Sequence, residues 1–245
     1  MTSIAVNGVP RVVNVTVVIP TLNEEESIGS VVASLPRNII DRVIVADGGS
    51  QDGTAEQAQR AGAEIIPAGR GYGRACLAGA LAAENAEILV FMDGDGADDP
   101  NTIAAIVAPV RAGEYDFVIG SRARGVRETG SMSSHQILAG QVAGWLIRLL
   151  YGVRYTDMCA FRAIRRDTLL ALGMRELTYG WNLEMQMRVA RAGLRVLELP
   201  VPYRRRLGGE SKVAGSLRGT AVAGLRIIST FARIAIMPTR KHTAS

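Results

Sequence analysis

Histidine and cysteine are almost missing from this chain, at two residues each in 245. His135 and His242 stand far apart, and no serine or cysteine has the partner that a catalytic triad needs, so serine-hydrolase and zinc-hydrolase chemistry are disfavoured. Cys76 and Cys159 belong to no CxxC or Cys/His cluster, which argues against a structural zinc site. A chain of this size needs no disulfide, and reduced thiols in a cytoplasmic protein are the expectation. Aromatic residues make up only 5%, too few for the stacking platforms of a single-strand nucleic-acid binder. Long apolar runs are lacking too. The nearest candidates for a run of about 18 residues, 137–153 and 213–237, are interrupted by Gln141, Arg148, Arg218, Arg226 and Arg233. The opening MTSIAVNGVPRVVNV has no basic start leading into an apolar segment, so no signal peptide is expected.

What remains is an ordinary globular composition, 48% apolar and 21% charged, with a net charge of +5 that favours an anionic partner. The first half alternates regularly. Strands are predicted at 14–20, 42–47, 63–67, 87–93 and 115–120, with helices over about 54–61 and from GRGYGR (69–74) to about 84. Asn23 with Glu26 reads as a capping box, and Asp99-Pro100 as an N-cap and first helical position. This alternation argues for a mostly parallel sheet flanked by helices, an α/β architecture. In the second half, helices are predicted at 134–150, 181–192 and 214–237, with a strand at RVLELPV (195–201). Residues 1–11 and 238–245 read as tails.

In an open parallel sheet, ligands collect beyond the carboxyl ends of the strands. There the run VFMDGDGADDP (90–100) places four carboxylates within seven positions. Asp93 and Asp95 are two apart, so on extended backbone they point the same way and are candidates to hold one hard divalent cation, magnesium or manganese. Asp98 and Asp99 read as turn and cap residues. A calcium-binding EF-hand is excluded, because that loop wants an acid or amide, Gly and Glu where this chain has Ala97, Asp98 and Ala104. GRGYGRAC (69–76) lacks the third glycine of a dinucleotide fingerprint. Gly71 and Gly73 either let the backbone approach a ligand, with Arg70 or Arg74 supplying charge, or form a structural turn.

Together, VVIPTLNEEESIGSVV, VIVADGGSQDGT, GRGYGRACLAGALAA and FMDGDGADDP resemble, in order and spacing, family 2 glycosyltransferases of the GT-A fold. The later segments IGSR, YTDMCAFRAIRR, GWNLEMQMRVARAG and YRRRLGGESKVAGSLRG resemble the branch that loads sugars onto polyprenyl phosphates, the dolichyl-phosphate mannose and glucose synthases. The resemblance implies a single GT-A domain over 12–212, with a nucleotide-sugar half (12–120) and an acceptor half (121–212). An amphipathic helical segment at 213–237 follows. It also implies that Pro20, Asn23, Glu24, Asp47, Gly48 and Ser50 bind the donor nucleoside, and that Asp93 and Asp95 are the DxD metal motif. Ala97 replaces a metal-ligating glutamine of some relatives, and water or Asp98 is the substitute. Arg206 and Lys212, bracketing a glycine loop with Ser211, match the positions that clasp the acceptor phosphate.

The implied chemistry is inverting transfer of a hexose from UDP-glucose or GDP-mannose to a lipid phosphate. Asp95, Asp157, Arg206 and Lys212 are the candidate catalytic groups. Asp157 is the candidate base for a hydroxyl acceptor; a phosphate acceptor is already ionised and needs none. Arg122 is expected to face the donor. Glu184 is expected to orient acceptor or sugar, or merely to pair with Arg188 four residues on. Arg218, Arg226 and Arg233 fall on one arc of the last helix, which fits either an interfacial helix or one packed on the domain. Peripheral contact with the inner face of a membrane is the corresponding expectation. Alternatives are the same chemistry on a cell-envelope hydroxyl acceptor, a non-catalytic nucleotide-sugar binder, and a basic nucleic-acid module.

Overall fold

A computed structural model describes residues 13–208 and 229–235. Seven strands form one sheet: β1 (Val15–Thr21), β2 (Arg42–Asp47), β3 (Glu64–Pro67), β4 (Ile88–Phe91), β5 (Phe117–Ser121), β6 (Arg162–Arg165) and β7 (Val196–Pro200). Their order across the sheet is β3-β2-β1-β4-β6-β5-β7. β3, β2, β1 and β4 run parallel, as does the β5–β7 pair, whereas β6 is antiparallel to both β4 and β5. The predicted strands all form. β6 is a strand that sequence pattern does not reveal, because RAIR is short and carries an arginine at each end.

The helices are α1 (Glu25–Ala33), α2 (Thr54–Arg60), α3 (Tyr72–Ala82), α4 (Ile103–Arg111), α5 (Ser134–Tyr151), α6 (Arg166–Ala171) and α7 (Trp181–Arg191). β1, β4 and β5 are buried along their whole lengths, as expected of strands covered on both faces. Close helix–sheet contact has a visible cause at Gly79 of α3, where a Cβ would collide with the Val18 side chain of β1. α5 carries a capping box, Ser133 with Gln136. The box expected at Asn23 and Glu26 does not form. α1 begins at Glu25 behind Glu24, whose side chain makes no capping bond, while Asn23 takes a positive φ of 52° and its Oδ1 accepts from the Gln51 N–H at 2.9 Å. Tertiary pairing of two loops has displaced a local cap.

Of the predicted 214–237 helix, only 229–235 lies among the described residues, and it is helical. This turn packs on the domain: Ile234 is fully buried, Thr230 Oγ1 donates to Glu176 at 2.9 Å, and Arg233 lies 3.5 Å from Glu176 and 3.7 Å from Glu184. Arg233 therefore faces protein carboxylates rather than headgroups, a correction to the interfacial reading at that position. No helix among the described residues is long and apolar enough to cross a membrane.

Candidate active site at the carboxyl ends of the strands

Parallel pairing sets Pro20 beside Ala46 and Thr21 beside Asp47, so the loops after β1 and β2 leave the sheet together. They are then tied to each other. Asp47 accepts from the backbone N–H groups of Gly49 and Ser50 at 3.2 and 3.0 Å and from the Ser50 hydroxyl. The Asn23 N–H donates to Ser50 Oγ at 2.9 Å, Glu24 N–H to Thr54 Oγ1 at 2.8 Å, and Gly48 N–H to the Thr21 carbonyl at 2.8 Å. Pro20, Asn23, Glu24, Asp47, Gly48 and Ser50 are thus brought together at one edge of the sheet's carboxyl end.

The turn after β4 adjoins this cluster, since the Ser27 hydroxyl of α1 donates to the Gly94 carbonyl at 2.8 Å. Three of its four acids are buried and Asp93 is half-buried. Asp95 and Asp98 are only 2% and 3% exposed. Asp93 Oδ1 accepts from the Tyr72 hydroxyl at 3.0 Å, and Asp98 Oδ2 accepts from the Asp93 N–H at 3.2 Å. Burial, with the charge of Asp95, pushes the Asp93 carboxyl up to about 6. Burial and the charges of Asp93 and Asp95 push Asp98 up to about 8. Asp98 is therefore a member of the acidic cluster, against the expectation of a solvated turn residue. Asp99 keeps its predicted role, capping the 3-10 turn by accepting from the Asn101 N–H.

The basic segment that follows β7 lies directly on this turn. Backbone bonds join Arg204 N–H to the Ala97 carbonyl and Leu207 N–H to the Asp95 carbonyl, each at 2.9 Å, and Tyr203 bridges to Asp98. As a result Arg206 Nε sits 3.1 Å from Asp95 Oδ2, and Arg204 3.4 Å from Asp99. The same segment reaches α1, where Gly208 packs so closely on Glu26 that a Cβ would collide with it. Ser211 and Lys212 lie outside the described residues.

Arg122, at the end of β5, grips Asp157 in a two-pronged pair, Nε to Oδ2 and Nη2 to Oδ1, both 2.8 Å, and stacks 5.0 Å over the Tyr203 ring. Asp157 also accepts from the Arg122 and Met158 N–H groups. Burial alone would raise this carboxyl, but the Arg122 hydrogen bond and charge hold it below the usual range. A carboxylate so satisfied is a poor proton acceptor, so these surroundings favour a structural tie over the expected base. Arg122 in turn spends its fork on Asp157 rather than presenting it to a donor, although its charge still acts on Asp93 and Asp98.

At two further places the surroundings favour the structural alternative. A Cβ on Gly71 or Gly73 would collide with the backbone carbonyls of Leu177 or Glu176, and Arg74 N–H donates to the Leu177 carbonyl at 2.9 Å. These glycines admit protein backbone, as the structural-turn alternative anticipated. Glu184 is fully buried; its Oε1 accepts from Arg188 at 2.9 Å and its Oε2 from the Arg175 and Glu176 N–H groups. It is an internal tie, as the pairing alternative anticipated, and not an acceptor contact. Sequence reasoning missed Tyr72 and Arg162. Arg162 is fully buried, its guanidinium donating to the Ala160 and Cys159 carbonyls while its charge acts on Tyr72 and Cys76. No local pattern separates Arg162 from Arg165 at the other end of the same short strand, so its burial was not legible in the sequence.

A family model, Glycosyl transferase family 2, matches residues 16–173, the span that holds the tied loops and the acidic turn. The chain belongs to that family. A relative described as an uncharacterized glycosyltransferase of Mycobacterium tuberculosis is 40% identical over 85% of this chain and 94% of its own length. An undecaprenyl-phosphate mannosyltransferase of Micrococcus luteus is 33% identical over 86% and 92%. Among solved structures, glucosyl-3-phosphoglycerate synthase of M. tuberculosis superposes with a TM-score of 0.71 at 24% identity, covering 92% of this chain and 81% of its own. The fold is therefore GT-A, a single domain, and the chain is a glycosyltransferase.

Proposed function

We propose that this glycosyltransferase moves a hexose from a nucleotide sugar, UDP-glucose or GDP-mannose, to a polyprenyl phosphate, with inversion and with a divalent cation. The observation that carries the reading is the contact of Arg206 with Asp95, which sets a phosphate-binding fork against the acidic turn. The neutralised Asp157 supports it as well, because a phosphate nucleophile needs no base whereas a hydroxyl does. The name of the Micrococcus luteus relative points the same way.

Asp93 and Asp95 would hold the cation. The donor set fits: hard carboxylate oxygens, crowded enough that burial and mutual repulsion raise Asp93 and Asp98. Among the described residues no group of three or more acids, histidines or cysteines forms a closed cage, so diphosphate oxygens and water are needed to complete coordination. When bound, the ion stabilises the negative charge on the departing diphosphate. Pro20, Asn23, Glu24, Asp47, Gly48 and Ser50 line the nucleoside side of this reading. Tyr72 holds Asp93 in place. Arg206, with Ser211 and Lys212 in the same reading, takes the acceptor phosphate through bidentate and point-charge contacts.

The test is turnover with a small panel of nucleotide sugars and a short prenyl phosphate, with and without manganese or magnesium. Metal-dependent formation of a glycosyl phosphate lipid is expected. Transfer to hydroxyl acceptors alone would overturn the acceptor assignment.

A further inference from the structure

α5 is apolar on both of its faces. Gly140, Ala143, Gly144 and Ile147 are buried, and Gly144 approaches the Tyr155 carbonyl so closely that a Cβ would collide with it. On the opposite side Leu138, Val142, Trp145 and Leu149 are between 49% and 69% exposed. At 3.6 residues per turn these four fall within an arc of about 60° and run for roughly 17 Å. An exposed apolar patch of this kind, the largest that a typical monomer carries, is often a functional one.

We propose that this stripe docks the protein on an anionic lipid bilayer, with α5 lying in the plane of the interface. This rests on the lipid-phosphate reading of the acceptor. Charge favours a bilayer: from Ser131 to Thr156 the chain has no Asp or Glu, and Arg148 and Arg154 are exposed at the C-terminal end of the helix. Cations beside a stripe of leucines and tryptophan are the make-up of an interfacial helix. Area disfavours a second copy. Side chains of about 150–250 Å² at these exposures offer roughly 450 Å² in all, against ~800 Å² per partner in a stable interface. Position favours a lipid substrate, because the buried face of α5 covers the Asp157 segment, where a Cβ on Gly140 would lie 3.6 Å from the Asp157 Cα. A cavity of about 330 Å³ lined by Arg127, Glu128, Thr129, Met132 and Ile137 opens at the N-terminal end of the same helix, with Glu128 already accepting from the Arg205 N–H. Arg205 ties down the loop beside this cavity by donating to the Thr129 carbonyl.

The test uses the full chain and phosphatidylcholine vesicles carrying about one third phosphatidylglycerol. Wild-type protein is expected to sediment with them. Its emission is expected to shift to the blue and to be quenched by brominated lipid, through Trp145, since the other tryptophan, Trp181, is already buried. Trp145→Phe removes the spectral change. Trp145→Glu with Leu149→Glu lowers partitioning at least about tenfold while leaving transfer to a water-soluble short prenyl phosphate intact. Wild-type protein that stays in the supernatant with an unshifted spectrum overturns the proposal, and so does undiminished partitioning of the double variant. A concentration-dependent dimer that the double variant abolishes, without vesicle binding, assigns the stripe to a second copy and overturns it too. Vesicle binding through the stripe without transfer to any prenyl phosphate sustains the docking face and overturns the acceptor reading instead.

Discussion

Two carboxylate environments lie on either side of Arg122. Asp157 has everything a buried anion needs: a two-pronged guanidinium and two backbone N–H donors. Asp93, Asp95 and Asp98 have less, with one tyrosine hydroxyl, scattered N–H groups and a single edge of Arg206 shared among three acids. Burial works upward on Asp93, Asp98 and Asp157; only at Asp157 do its partners outweigh it. A fully compensated carboxylate holds structure together, and an under-compensated cluster leaves room for a charge that is not part of the chain.

The strongest way to break this comparison is to empty the acidic side. Asp95→Ala is expected to lower transfer by at least about 100-fold and to abolish any rise in melting temperature on adding manganese, with the circular dichroism unchanged. Wild-type turnover in that variant would remove the metal assignment. On the compensated side, Arg122→Ala leaves Asp157 buried without its partner and should cost about 3–5 kcal/mol in denaturant unfolding. Asp157→Asn should cost about 1–3 kcal/mol. It should retain transfer to a prenyl phosphate within roughly tenfold, where loss of a working base would cost 100-fold or more.

The pH dependence sharpens the contrast. Asp98 keeps its proton in the folded protein up to about 8 but loses it near 3.8 when unfolded. The folded state therefore binds more protons between those values, and the metal-free protein should lose stability as pH rises from about 4 to 8. Asp157, lowered in the folded state, acts oppositely: its contribution is present above the unfolded value and is lost as pH falls through the folded one. Asp98→Asn should flatten the decline with rising pH, an effect of up to about 4 kcal/mol by chemical denaturation at pH 8 against pH 5. An unchanged decline would mean that Asp98 is not its source.

Much of this was legible in the chain. The alternation of short β-branched runs with helices marked every strand of the parallel part, because a two-sided strand and an amphipathic helix carry different periods. The acidic turn and the arginine run were visible as composition. Their roles were harder to read. Asp98 looked like a turn residue because nothing local shows that Tyr203 and the 204–207 segment cover it. Gly71 and Gly73 left ligand approach and a structural turn both open because a glycine's neighbour cannot be named from sequence. Glu184 and Asp157 carried the right functional group, yet each is neutralised by an arginine whose proximity depends on packing or on a distant strand.

The order of residues alone determined the α/β alternation, the placement of acids where strand β4 stops, and the cationic character of the segment after β7, since all three follow from local period and side-chain chemistry. Only the tertiary structure inserted β6 between β4 and β5, buried Arg162 behind Asp93, and zipped 204–207 onto 95–97. The first and last of these join residues remote in the chain through backbone hydrogen bonds. Every residue offers the same donor and acceptor, so which pair will meet is written in no single stretch of sequence.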